Sequence, residues 1–209
     1  MNRFEQAVYD CMKPTEALYE RTTNKLHQAI LLNFWRHVHL EGAGLYDQIC
    51  SDDMMVANPE YRITWGANPA VIHGREGVKA FYNSVGEAVL WNSDDLISVA
   101  DWGIADELTF NILAPGFVLQ ALGYAVPEAD KYYHTASRQA FIWPYDEKAR
   151  LKGENLYEDK TSLTWTEVDE SELITAARVK EIQKELLDKL HARFGENFWI
   201  YKPDVEAVV

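Results

Sequence analysis

Near residue 90 the spacing of apolar residues changes. Before it, apolar residues recur every three or four positions. Leu31, Phe34, Trp35, Val38 and His39 share one face of a helix running from Thr15 to about Glu41, and Gly42 and Gly44 stop it. Val78, Phe81, Tyr82 and Val85 form the stripe of a second helix. After residue 90 the period falls to two. "DDLISVADWG", "IADELTFNILA", "GFVLQALGYAV", "YYHTASRQAFIWPY" and "LKGENLYEDKTSLTW" follow as strand candidates split by Gly, Pro and Asp. "MMVANPEYRITWG" is an earlier strand with an irregularity at Pro59. From Asp169 the chain turns helical again, with Ile182, Leu186 and Leu190 on one stripe and a stop at Gly195. "ENFWIYKP" forms an apolar clasp and "DVEAVV" a loose end. Helices, a strand, a helix, a run of antiparallel strands and a helical tail define an α+β chain, not a doubly wound sheet.

Charge and cysteine usage limit the function. The formal net charge of −13 supplies no basic face for a phosphate backbone, so nucleic acid is not an expected partner. It also disfavours an anionic membrane surface. No apolar run reaches the length of a membrane span, and the acidic first twenty residues do not read as a signal peptide. Cys11 and Cys50 form no metal-type cluster, and a reduced, cytoplasmic compartment is expected. No phosphate-binding loop, dinucleotide fingerprint, zinc-protease motif or nucleophile elbow occurs.

Three local pieces occur in a telling order: "DDMMVANPEYRITWG", then "IHGREGVKAFYNSV", then "GENLYEDKTSLTW". Together they resemble the SnoaL-like branch of the nuclear-transport-factor-2-like superfamily, which includes ketosteroid-isomerase-like proteins. The resemblance covers residues 25–168. Residues 1–24 and 169–209 are helical extensions beyond it. It implies a cone: a strongly bent antiparallel sheet wrapped on N-terminal helices in an α+β barrel, here with an extra C-terminal helix. It also implies a homodimer, and enzymes without cofactors such as aldol cyclases, dehydratases and isomerases.

The last strand carries the first candidate. Asn155, Tyr157 and Asp159 point one way, and Glu154, Leu156, Glu158 and Lys160 the other. The charged second set suits solvent or a polar interface. If the first set faces the cone, Asp159 is a half-buried carboxylate able to act as general acid or base. The matching Asp in SnoaL-like cyclases has that role. Otherwise Asp159 caps the turn into "KTSL". His39, one turn after Trp35, could pair with Asp159 or orient a carbonyl, or could simply end the helix as a bonded imidazole. His37 points nearly opposite, toward solvent. His134 and Arg138 share a strand face and could bind a carbonyl or anionic oxygen, unless that face is the outer one. Tyr61 and Trp65, with Trp35 and Tyr157, supply aromatic walls or plain core packing.

The reading from sequence is a cofactor-independent acid/base lyase or isomerase acting on a small, largely apolar molecule. Its catalytic residues would be Asp159, His39 and His134, and its substrate contacts Tyr157, Arg138, Tyr61, Trp65 and Trp35. No cofactor or metal is called for. The alternative is a non-catalytic ligand-binding or oligomerisation domain of the same fold.

Overall fold

Side-chain caps set where the N-terminal helices start. In the computed structural model, which describes residues 1–67, 69–85 and 89–203, Asn2 caps helix α1 (Arg3–Asp10) and forms a capping box with Glu5. Pro14 lies in the first turn of α2 (Lys13–Arg21), where its missing N–H costs nothing. Asn24 accepts from the backbone N–H groups of Leu26 and His27 and starts α3 (Lys25–Gly42). The single helix expected from Thr15 to Glu41 is thus two, because Asn24 offers the backbone a cap that outcompetes continuation. Helix α3 is buried on nearly every side from Ala29 to Leu40, so it is a central helix, not a one-faced surface helix. A short α4 (Tyr46–Ile49) follows.

The remaining elements are β1 (Met55–Ile63), β2 (Ala70–His73), α5 (Gly74–Val85), β3 (Val89–Ala100), β4 (Gly103–Pro115), α6 (Gly116–Ala121), β5 (Tyr132–Pro144), β6 (Leu151–Val168) and α7 (Ala176–Phe194). "GFVLQALGYAV", expected as a strand, holds α6 instead. Pro115 at its N-cap ends strand pairing, and Gly123 with φ +89 closes the turn after it. The C-terminal helix begins only at Ala176, capped by Thr175, after a 3-10 turn at Glu170–Glu172. The segment 204–209, expected to be loose, lies outside the described residues.

Among the described residues, six strands form one curved, unclosed sheet in the order β2-β1-β6-β5-β4-β3. Every neighbouring pair is antiparallel except β1 and β6, which run parallel. The long β4, β5 and β6 have a concave face that alternates with an outer face. Along β5, Ser137, Gln139, Phe141 and Trp143 are buried, while His134, Arg138 and Ala140 are not. Helix α3 fills the concave side. Helix α7 packs on α3 and is tied to the N-terminal helices by Arg178 to Glu5, at 2.7 Å, and by Tyr9 to Glu185, at 2.8 Å. The "ENFWIYKP" segment folds back so that Trp199 covers the Arg36 guanidinium at 3.7 Å and donates to Asp53. No helix among the described residues is long and apolar enough to cross a membrane.

Candidate active site

A cavity of about 140 Å³ opens between the concave sheet face and helices α3, α5 and α7. Phe34, Trp65, Phe81, Phe110, Phe141 and Trp143 supply much of its wall. Phe141 and Trp143 stack on each other on β5, with ring centres 5.6 Å apart, and make a flat aromatic floor. Among the described residues, three carboxyl groups interrupt this lining: Glu41, Asp106 and Glu154.

Glu154 enters from β6, which is paired on both sides, by β1 and β5. Alternate residues of such a strand must go to the interior, and here they are Glu154 and Leu156. Glu154 is 4% exposed. Burial holds its carboxyl well above the usual carboxylate range, and the charge of Glu41 adds to that. Both causes favour its protonated form over the carboxylate.

Beside it on β1 stands Tyr61, its cross-strand partner. The Tyr61 hydroxyl lies 3.0 Å from that of Tyr82 on α5, and Tyr82 lies 2.9 Å from Nε2 of His37. His37 in turn contacts Glu41, one turn on, at 3.4 Å. Burial pushes both tyrosines well above their ordinary value, so both stay neutral donors. His37, expected in solvent, is wholly buried, because α3 is packed on every side.

Asp106 enters from β4, in the row Ile104, Asp106, Leu108, Phe110. It faces Phe141 across the β4–β5 ladder. Burial, then the neighbouring charge of Asp95, raises its carboxyl to about 7. Burial raises Asp95 as well.

The face assignment expected for β6 is reversed. Asp159 stands on the outside, where its Oδ1 accepts from the Thr161 backbone N–H at 2.9 Å and the Thr161 hydroxyl at 2.6 Å. Those bonds hold its pKa below the ordinary value. Tyr157, on the same face, is half exposed. The charges of Glu158 and Lys160 misled the parity. Glu158 is satisfied inside by Tyr124, Ser137 and the Gly66 N–H, and Lys160 by the Gly66 carbonyl.

His39 is buried against α7, its Nδ1 at 2.6 Å from Gln183 Oε1, and burial lowers its pKa to about 4. It does not line the cavity. His134 lies on the outer face of β5, stacked on Trp91 and 2.9 Å from Asn111 Oδ1. Arg138, also outside, pairs with Glu107 at 2.7 Å. Trp35 packs against Phe194 of α7, not in the cavity. Of the expected residues, Trp65 alone lines the cavity, with its Nε1 donating to Tyr124 at 2.6 Å. Tyr61 stands one residue behind the wall. Sequence reasoning missed Glu154, Asp106, Glu41 and Tyr82. A signal existed for Asp106, which sits in an apolar row of period two.

No protein-family model matches the chain, and no curated protein matches it. Solved structures do. An NTF2-like protein from Burkholderia xenovorans is 11% identical and matches 65% of this chain and 93% of its own, with a TM-score of 0.44. The Δ5-3-ketosteroid isomerase from Mycobacterium sp. is 18% identical over 68% of this chain and 98% of its own, at 0.42. An epoxide hydrolase/cyclase-like enzyme with a role in pyran ring formation in polyether salinomycin is 12% identical over 66% and 93%, also at 0.42. Each of these likenesses spans 65–68% of this chain, at low identity.

Proposed function

We propose that the protein is an acid–base enzyme, without a cofactor, that acts on a small, largely apolar molecule held in the aromatic cavity. The observation that carries this reading is Glu154: a fully buried carboxyl facing an apolar cavity, with its nearest charged influence another carboxylate. A protonated carboxyl in such a place is a strong donor, because little water competes and the surroundings are already oriented. It can donate to a carbonyl oxygen and stabilise the enolate that forms when a neighbouring C–H is deprotonated. It can equally protonate a departing hydroxyl. Dehydration, aldol cyclisation and isomerisation need these steps.

Tyr61 and Tyr82 support Glu154 from behind. Their hydroxyls are bonded to each other and to His37, so the wall next to Glu154 keeps one arrangement. Phe141 and Trp143 offer a flat surface to a ring or conjugated chain.

The test is solvent-deuterium uptake at the α-carbon of small cyclic and aryl ketones, followed by proton NMR. The reading expects uptake above the buffer rate with wild type and a loss of about 10²-fold or more in Glu154→Gln. Ketones that bind, read by tryptophan fluorescence, yet exchange no faster than in buffer would leave a passive binding pocket and sink the enzyme reading.

A further inference from the structure

A pair of acids, Asp95 and Asp106, has one member in the lining of the same cavity, and the backbone is bent to create it. The β3–β4 register runs regularly to Ser93↔Thr109 and resumes at Leu96↔Glu107, so one extra residue lies on β3. Asp94, in this bulge, takes φ +55, a conformation few non-glycine residues adopt. A bulge re-aims the side chain that follows it. Here it brings Asp95 to where its carboxyl interacts with that of Asp106 on β4. Asp106 is 3% exposed and lines the cavity. Both of its oxygens, and Oδ2 of Asp95, have no hydrogen-bond donor among the described residues. The other Asp95 oxygen accepts from Asn92. Two carboxylates cannot satisfy each other while both are ionised. One shared proton satisfies both.

We propose that Asp95 and Asp106 share one proton and form the cavity's proton acceptor, with Asp106 facing the substrate and Asp95 positioning it. The pair lies across the aromatic floor from Glu154. Asp106 stands beside Phe141. Ile142 faces Asn155, so Trp143, one residue on, stands beside Glu154. Two strand spacings across and two residues along separate the Asp106 and Glu154 backbones by roughly 12 Å on a flat sheet, and both side chains converge from its concave face. In the forward step a substrate C–H bond breaks and its proton goes to Asp106. The electron pair moves onto the conjugated oxygen, which takes the Glu154 proton. The reverse transfers, at the same or another carbon, restore both groups.

The charged or titratable groups facing the pair are Asp94 on the bulge, Cys11 from the N-terminal helices, and Arg138, whose charge acts through the sheet. The inference rests on the reading of Glu154 as donor, but its test does not. Aspartate carboxyl carbons are labelled and titrated by NMR in wild type, Asp95→Asn and Asp106→Asn. Asp106 should titrate near neutrality in wild type and fall by at least about one pH unit in Asp95→Asn, because its negative neighbour is gone. The Asp95 midpoint should shift as well in Asp106→Asn, because the Asp106 proton that lowers it is gone. Midpoints that ignore the partner's substitution would overturn the pair. In the deuterium-uptake assay, the pH midpoint of exchange should move down in Asp95→Asn. A fixed midpoint there, with exchange still lost in Glu154→Gln, would remove the pair and leave the donor reading standing.

Discussion

Replacing Asp106 by Asn should make the protein more stable, and by an amount that depends on pH. The folded carboxyl titrates at about 7 against an ordinary 3.8. Between those values the unfolded chain has lost this proton and the folded chain keeps it. Folding then takes up a proton, so wild-type stability falls as pH rises through that window, by about 1.4 kcal/mol per pH unit. The contribution is fully present below pH 3.8 and gone above pH 7, and the whole span is worth roughly 4 kcal/mol. The amide of the Asp106→Asn variant does not titrate. The stability of that variant relative to wild type should therefore climb from about pH 4 to about pH 7 and then level. Because Asp95 is linked to the same proton, the curve belongs to the pair and will be broader than a single titration. Urea unfolding at half-unit steps from about pH 4 to about pH 8.5 measures it. A stability difference that stays flat, or falls as pH rises, would refute a buried acid that holds its proton to neutrality.

Other substitutions probe the rest of the site. Asp159→Asn should leave stability within about 0.5 kcal/mol of wild type and leave deuterium uptake unchanged, since the side chain is an exposed turn cap; a loss of uptake would return it to the cavity. Tyr82→Phe removes the hydroxyl joining Tyr61 to His37 and should cost about 1–3 kcal/mol in chemical denaturation, because the buried imidazole loses that partner. Gly153→Ala should be poorly tolerated, and its far-ultraviolet and denaturation profiles should show a loss exceeding about 3 kcal/mol. Gly153 has φ +156, and an added Cβ would lie 1.9 Å from the Glu60 carbonyl oxygen, next to Glu154. A stable Gly153→Ala would mean that β1 and β6 do not meet as closely as described.

The broad architecture was legible because period and punctuation carry it. The switch from helical to strand spacing near residue 90, and the irregularity at Pro59, both correspond to observed structure, the latter to a register shift in β1 between Met55 and Glu60. Where the pattern was ambiguous, local chemistry decided. Asn24 split a helix by capping, and "GFVLQALGYAV" became α6 because Pro115 cannot continue a ladder. The site was harder to read. On β6 the charges of Glu154, Glu158 and Lys160 suggested solvent, yet the strand is flanked on both sides. Donors from Tyr124, Ser137 and Gly66 allow a charged residue to stand on the concave face. No sequence pattern announces those partners, which come from separate segments of the chain. Asp106 differs. The row Ile104, Asp106, Leu108, Phe110 places it among apolar residues from sequence alone. Its partner Asp95 was hidden, because only a bulge brings it to that face.

The whole reading of the cavity depends on Glu154 being a neutral proton donor that faces it. The infrared difference spectrum of wild type minus Glu154→Gln at neutral pH, with glutamate carboxyl carbons labelled, reads that state without intermediaries. The carbonyl stretch of a protonated carboxylic acid should be present in wild type, absent in the variant, and shifted when a ketone occupies the cavity. A spectrum showing only the paired stretches of an ionised carboxylate would mean that Glu154 has no proton to give.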